Sequence, residues 1–236
     1  MMQIEYWSDY ACPYCYIGET RLKKAAEETL PEGGWRLVMH SFELDPSAPK
    51  TYTGDTEGRF ARKYGLSVAE ARARIEGISS LGRAEGLDFR YAQTRYTNTF
   101  DAHRLTHYAQ SLGDEERTHK LEEILYAAYF AKGLELAARD VLLNAAEEAG
   151  FARDDAAKVL DSDAFAAEVR RDEAAAARMG IHGVPYFVID GKIAIPGAMA
   201  TDDFARALRQ AADMRKDADA AEGKAHMCGP DGCRIE

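Results

Sequence analysis

Residues 8 to 18 read "SDYACPYCYIG", and the pair Cys12 and Cys15 stands where one kind of chain gives way to another. Upstream, Gln3 to Trp7 ("QIEYW") has the content of a short strand, ended by the turn formers Ser8 and Asp9. Downstream, Tyr14 to Leu30 carries apolar residues at Tyr14, Ile17, Leu22 and Ala25 with charges between them, the pattern of an amphipathic helix. Glu19 and Lys23, one turn apart on it, read as a solvated ion pair. "PEGG" at 31 to 34 stops the helix, and "WRLVMHSFEL" at 35 to 44 reads as a second strand. The first 44 residues thus form a β-α-β unit with Cys-x-x-Cys at the passage from strand to helix.

Two close cysteines can be a metal clamp, a structural staple or a reactive pair. The bulk numbers narrow the setting. With 236 residues, a formal net charge of −10 and a pI near 5.2, the chain lacks the concentrated basic surface that nucleic acids require. It shows neither a secretory leader pattern nor an apolar run of membrane-spanning length, so a cytoplasmic location is expected. Thiols there are kept reduced, which favours a metal-binding or redox-catalytic pair over a staple. The position favours redox chemistry: the first turn of a helix offers unpaired N–H groups and the positive end of its dipole to a thiolate. Pro13 suits the first helical position, having no N–H to lose. Cys12 is then expected as the exposed thiol that attacks a substrate disulfide, and Cys15 as the more buried thiol that resolves the mixed disulfide.

From Asp45 to about Gly180 the chain turns helical. Ser67 and Glu70 have capping-box spacing, and helices are expected over roughly 68 to 86, 99 to 112, 115 to 132, 138 to 149 and 162 to 179. Strand character returns in "VPYFVIDGKIAIPGA", where Asp190-Gly191 marks a hairpin, and Thr201 and Asp202 cap a last helix to about 221. The fold class is therefore α/β: residues 1–44 and 181–221 as one domain, 45–180 as an inserted helical subdomain, and 222–236 as a tail.

Strand, "CPYC" helix, strand, helical insertion, then "GVPYFVI", hairpin and helix resembles the thioredoxin superfamily, specifically the DsbA-like proteins and, among them, the FrnE-type cytosolic dithiol oxidoreductases. The resemblance runs from residue 2 to about 221 and rests on "WSDYACPYCYIG", "NTFDAHRL" at 98 to 105 and "GIHGVPYFVIDGK" at 180 to 192. It implies a thiol-disulfide oxidoreductase or disulfide isomerase with no bound cofactor, acting on disulfide-containing or thiol proteins. By it, Pro185 is a cis-proline facing the cysteine pair, Val184 offers backbone groups to a bound peptide, and Pro13, Tyr14 and His103 belong to the substrate site. Periplasmic relatives carry histidine where Tyr14 stands. Tyrosine lacks the charge that stabilises the attacking thiolate, so a less oxidising pair, suited to reduction or isomerisation, is implied. "CPYC" also occurs in glutaredoxins, which makes glutathione, or a dithiol reductant, the implied redox partner.

The remaining cysteines, Cys228 and Cys233, flank the turn-forming Gly-Pro-Asp-Gly. A second redox pair exchanging with Cys12 and Cys15, which FrnE-like proteins with a C-terminal Cys-x4-Cys suggest, stands against incidental thiols in a terminal tail. A zinc site is disfavoured, because the two pairs are over two hundred residues apart and one has x4 spacing. His103 and His107 share a helical face without a third ligand nearby in sequence, so no metal is expected there either. His182, just before Val184, is equally a tuner of a nearby thiol or a loop hydrogen-bonder. Tyr91, Tyr96, Phe100, Tyr126, Tyr129 and Phe130 divide between core and a peptide groove. Glutathione-dependent isomerases and transferases of the 2-hydroxychromene-2-carboxylate isomerase and kappa class share the architecture this chain resembles, and they carry serine where Cys12 stands; a third reading is a redox-independent chaperone with an apolar groove, whose cysteines are incidental. The oligomeric state is open.

Overall fold

The computed structural model describes residues 1–225. Its sheet has four strands in the order β2-β1-β3-β4: β1 (Met2–Ser8), β2 (Trp35–Ser41), β3 (Tyr186–Ile189) and β4 (Ile193–Pro196). β1 pairs with β2 in parallel and with β3 antiparallel, and β3 pairs antiparallel with β4. The parallel step needs a crossover, which α1 (Pro13–Thr29) supplies. As the central strand, β1 is covered on both faces. Ile4 and Tyr6 point into the main core with α1 and α9 (Thr201–Ala225), while Trp7 turns the other way onto Ala176, Ile181 and Val188.

The insertion contributes α2 (Thr56–Tyr64), α3 (Val68–Ala84), α4 (Phe100–Ser111), α5 (Glu115–Phe130), α6 (Arg139–Glu148), α7 (Arg153–Leu160) and α8 (Ala166–Arg178). The expected capping box at Ser67 and Glu70 is present at the start of α3. Four differences from the sequence reading have local causes. β2 stops at Ser41 rather than 44, because carboxylates take the next donors: the N–H of Ser41 goes to Asp172 and that of Leu44 to Asp9. α8 starts at Ala166 rather than 162, because the Arg104 guanidinium claims the carbonyls of Val159, Ser162 and Ala164 and holds that stretch as a turn. α2 was not anticipated, although Asp55 caps it at Gly58 N–H and Gly65, at φ 65°, ends it. α7 likewise lies outside the expected helices; no side-chain cap announces it. Although it falls within the inserted segment as delimited above, α8 packs on the back of the sheet, where Trp7 Nε1 donates to the Asp172 carbonyl at 3.1 Å.

Candidate active site

Cys12 is the N-cap residue of α1, Pro13 follows at the first helical position, and Cys15 lies in the first turn, its N–H donating to the Cys12 carbonyl at 3.1 Å. Both thiols are free and both are buried. Burial of Cys15 matches the expectation for the resolving thiol. Cys12 corrects the expectation of an exposed attacker: it is 4 % exposed, because the 181–185 loop closes over it and its thiol donates to the Val184 carbonyl at 3.5 Å. It still lines a groove that opens to solvent. Burial pushes the Cys15 thiol up, and its hydrogen bond with Cys12 adds to this, while the Ser8 hydroxyl and the Asp9 backbone pull the other way. Cys15 therefore holds its proton, and Cys12 is the thiol that stands at the start of the helix.

The Val184–Pro185 peptide bond is cis, and the Pro185 ring lies against α1. Close approach depends on Gly18, where an added Cβ would stand 3.2 Å from Pro185 Cγ and from both Ala198 Cα and Cβ. The turn before the cysteines is held by Asp9, a residue that sequence reasoning treated only as a strand stop. Its buried carboxyl group accepts from Ala11 N–H at 3.2 Å, Thr99 Oγ1 at 2.8 Å and Leu44 N–H at 2.7 Å. Thr99 comes from the "NTFDAHRL" stretch, so the insertion braces the cysteine turn directly.

His103 belongs to that brace. It is fully buried, packs against the Tyr10 ring in a tilted pair at 5.1 Å between centroids, and lies 3.6 Å from Asp9, beyond hydrogen-bond range. It does not reach the groove, which corrects its assignment to the substrate site: the Tyr10 ring and Asp9 stand against it. His107 points elsewhere, to Ser41 and Asp172. His182 is exposed. Tyr126, Tyr129 and Phe130 are core, and Phe100 lies under the guanidinium of Arg170. The Glu19–Lys23 pair is not solvated. Their contact is 2.8 Å with Glu19 almost fully buried, because α5 covers this face with Glu122, Glu123 and Tyr126. Cys228 and Cys233 lie outside the described residues.

Pro13, Tyr14 and Val184 do line the groove with Cys12, as their assignment requires. Its volume is about 660 Å³. Opposite the cysteine, Phe60, Ile78, Leu81, Tyr91 and Tyr96 form an apolar wall from α2, α3 and the segment that follows, edged by Arg59, Lys63 and Arg74. None of these three cations was singled out from the sequence: Arg59 and Lys63 lie on α2, which was not foreseen, and Arg74 on the expected α3 had no local signal pointing it to the groove. The site thus offers one attacking thiol, one proton-holding partner a turn away, and an apolar cleft of small-molecule or short-peptide size.

A DSBA-like thioredoxin domain model matches residues 3–209. The chain belongs to that family. Along its whole length it is 33 % identical to a protein described as a probable DsbA oxidoreductase from Streptomyces coelicolor, with a TM-score of 0.84 and full coverage of both chains. The cytosolic disulfide reductase DsbM from Pseudomonas aeruginosa, also solved with GSH, shares the fold at TM-score 0.61 and 17 % identity, over 90 % of this chain and 99 % of its own. A 2-hydroxychromene-2-carboxylate isomerase matches at TM-score 0.63 and 16 % identity, over 92 % and 98 %. These last two likenesses are of fold alone. DSBA-like proteins are in general thiol-disulfide oxidoreductases, and this one has the DsbA-like fold with its helical insertion. No helix among the described residues is long and apolar enough to cross a membrane.

Proposed function

We propose that this protein is a cytoplasmic thiol-disulfide oxidoreductase of the reductase or isomerase kind, using Cys12 and Cys15 as its redox pair. One observation carries the reading: Cys12 caps the start of α1 at the mouth of the groove, while Cys15, one turn on, is fully buried with its thiol pushed up. Reduced Cys12 attacks a substrate disulfide, and one sulfur leaves as thiolate. Cys15 then attacks Cys12, closing the internal disulfide and freeing the second sulfur, so two electrons pass to the substrate. Pro13, Tyr14 and Val184 contact the substrate, and Pro185 positions it. Glutathione or a dithiol returns the pair to its reduced form, a reading to which the GSH-bound fold relative lends support. Exchange with Cys228 and Cys233 is part of the proposal, and rests on their spacing in the sequence.

The test is equilibration of the full chain against a ladder of reduced to oxidised glutathione, reading thiols by mass after alkylation. The expected result is a reversible two-electron transition of Cys12 and Cys15, shifted in a Cys228→Ser/Cys233→Ser variant. An unshifted potential together with unchanged turnover on a protein disulfide removes the tail pair from the mechanism. Absence of any disulfide across the ladder removes the redox reading. The second reading, a glutathione-dependent isomerase in which Cys12 acts alone, then stands in its place, supported by the fold it shares with the 2-hydroxychromene-2-carboxylate isomerase.

A further inference from the structure

The charge of the groove runs against that of the molecule. The chain has 40 acidic against 30 basic residues, yet among the described residues Arg59, Lys63 and Arg74 line the cleft and no carboxylate does. Arg59 and Lys63 are one turn apart on α2, and Arg74 faces them from α3. Among the described residues none of the three makes an ion pair, although many other Lys and Arg side chains do, Arg72 with Glu57 and Arg21 with Glu85 among them. The Arg59 guanidinium carbon lies over the Tyr96 ring, 3.8 Å from its centroid, and its Nε is shut off from solvent with no hydrogen-bond acceptor among the described residues. The Tyr96 hydroxyl holds Asp45 at 3.1 Å, and that carboxylate is already engaged by Ser47. Asp45 acts on Lys63 and Glu70 on Arg74 only at a distance, without an ion-pair contact, so the three positive charges are compensated in part. An anion in the cleft would complete that compensation.

The geometry points to a specific substrate class: disulfides that carry carboxylates on an apolar body, drawn to Cys12 by Arg59, Lys63 and Arg74. This rests on the redox function proposed above. The apolar wall takes the body, and the cations take the carboxylates. The reduced Cys12 thiolate attacks one sulfur of such a disulfide, whose S–S bond breaks. Cys15 displaces the second sulfur, and the two protons lost by the pair are balanced by the two thiols released. A dithiol or glutathione resets the pair. The carboxylates have two sources, a small organic disulfide or an acidic stretch of protein around a disulfide.

The experiment is single-turnover oxidation of the pre-reduced full chain by dithiobis(nitrobenzoate), an aromatic disulfide with a carboxylate on each ring, and by neutral dithiodipyridine. Two disulfide-linked peptides, one with aspartates beside the cysteines and one with asparagines, form the second arm. The readout is the ratio of anionic to neutral rate constants in the wild type, in Arg59→Gln/Lys63→Gln/Arg74→Gln and in Lys63→Gln/Arg74→Gln. The double variant changes only exposed side chains and guards against misfolding of the triple one. The expected result is a ratio that falls roughly tenfold or more in the variants and that shrinks with added salt in the wild type. A charge preference among the peptides as well assigns acidic protein segments as a source, and a preference confined to the nitrobenzoate probe assigns small molecules. An unchanged ratio, or rates that fall in parallel for charged and neutral probes, overturns the inference while leaving the redox function standing. If dithiodipyridine itself produces no Cys12–Cys15 disulfide, the redox function fails and this inference fails with it.

Discussion

Thr99 donates to Asp9 across 2.8 Å, joining the first turn after β1 to the start of a helix ninety residues later. Asp9 in turn receives the N–H of Ala11, the residue before Cys12. The insertion therefore does more than roof the groove; it sets the path of the cysteine turn.

Replacing Thr99 by valine keeps the shape of the side chain and removes the donor. Asp9 Oδ1 then keeps only the longer bond from Ala11 N–H, and the loss of one buried hydrogen bond costs roughly 0.5–1.5 kcal/mol. Urea unfolding of Thr99→Val is expected to show that loss with an unchanged m-value. Single-turnover oxidation of Cys12 is expected to slow as well, since the turn loses a brace.

Tyr14 is 43 % exposed and lines the groove beside Cys12. A histidinium there would stabilise the reduced, thiolate-bearing form of the pair over the disulfide. Tyr14→His is expected to raise the redox potential on the order of 30 mV, equivalent to about 1.4 kcal/mol for a two-electron couple. Glutathione titration checks the sign: a fall would place the residue outside electrostatic reach of the thiol.

Gly18 sets two effects against each other. Alanine at a helix interior gains about 1 kcal/mol in propensity. The added methyl meets Pro185 and Ala198 at 3.2 Å, and overpacking of that kind costs about 1–3 kcal/mol. A net destabilisation of up to about 2 kcal/mol is expected for Gly18→Ala, with a larger loss for Gly18→Val. Because the displaced neighbour is Pro185, disulfide turnover should fall further than stability does. Denaturation and turnover measured on the same preparations separate the two.

On the back of the sheet, His40 hydrogen-bonds Asp172 at 3.0 Å and Glu5 at 3.1 Å beneath the stacked Trp7 ring, and His107 reaches Asp172 at 3.0 Å. Burial opposes the charged form of His40, but the hydrogen bonds and charges of Asp172 and Glu5 outweigh it and raise the pKa above its ordinary 6.5. Burial of Asp172 is likewise overcome by His107 and His40, which hold its carboxyl well below the usual carboxylate range. A raised folded-state pKa contributes stability that is complete below the unfolded value and lost as pH rises through the folded one. The lowered Asp172 contributes above its unfolded value, near 3.8, and loses that contribution as pH falls through the folded one. The latch is thus strongest between those limits. Thermal unfolding from pH 5 to 9 is expected to show the wild type losing stability above about pH 6.5 more steeply than His40→Gln. His119, raised in the same direction by Glu122, is present in both proteins and drops out of the difference.

Much of this site was legible in the sixteen residues from Gln3 to Gly18. The alternation of "QIEYW", the stop at Ser8 and Asp9, proline at the first helical position and cysteines one turn apart are all short-range signals, and β1, α1 and the N-terminal place of Cys12 follow from them. The helix of residues 56–64 was missed for the opposite reason. Its apolar residues Phe60, Ala61 and Tyr64 are few and its other positions polar, so its stability comes from lying on α3 and Tyr91 rather than from its own period. With α2 unseen, Arg59 and Lys63 could not be placed, and nothing local told that Arg74 on α3 would face them. The Glu19–Lys23 pair shows a related limit: i,i+4 spacing says that two charges meet, and only α5 packed against them decides that they meet away from water.

The sequence by itself determined the strand-to-helix junction, the residue that caps it, and the hairpin that carries Pro185, because each depends on backbone preferences reaching no more than four or five residues. The tertiary structure alone decided that the Cys12 thiol meets a carbonyl 172 residues away, that Asp9 is held from the insertion, that His103 faces inward, and that three cations from two helices converge on one cleft. Those outcomes arise from burial of apolar faces brought together from distant parts of the chain. That burial is non-directional and roughly proportional to area, so no local pattern of residues encodes which partner a buried side chain will find.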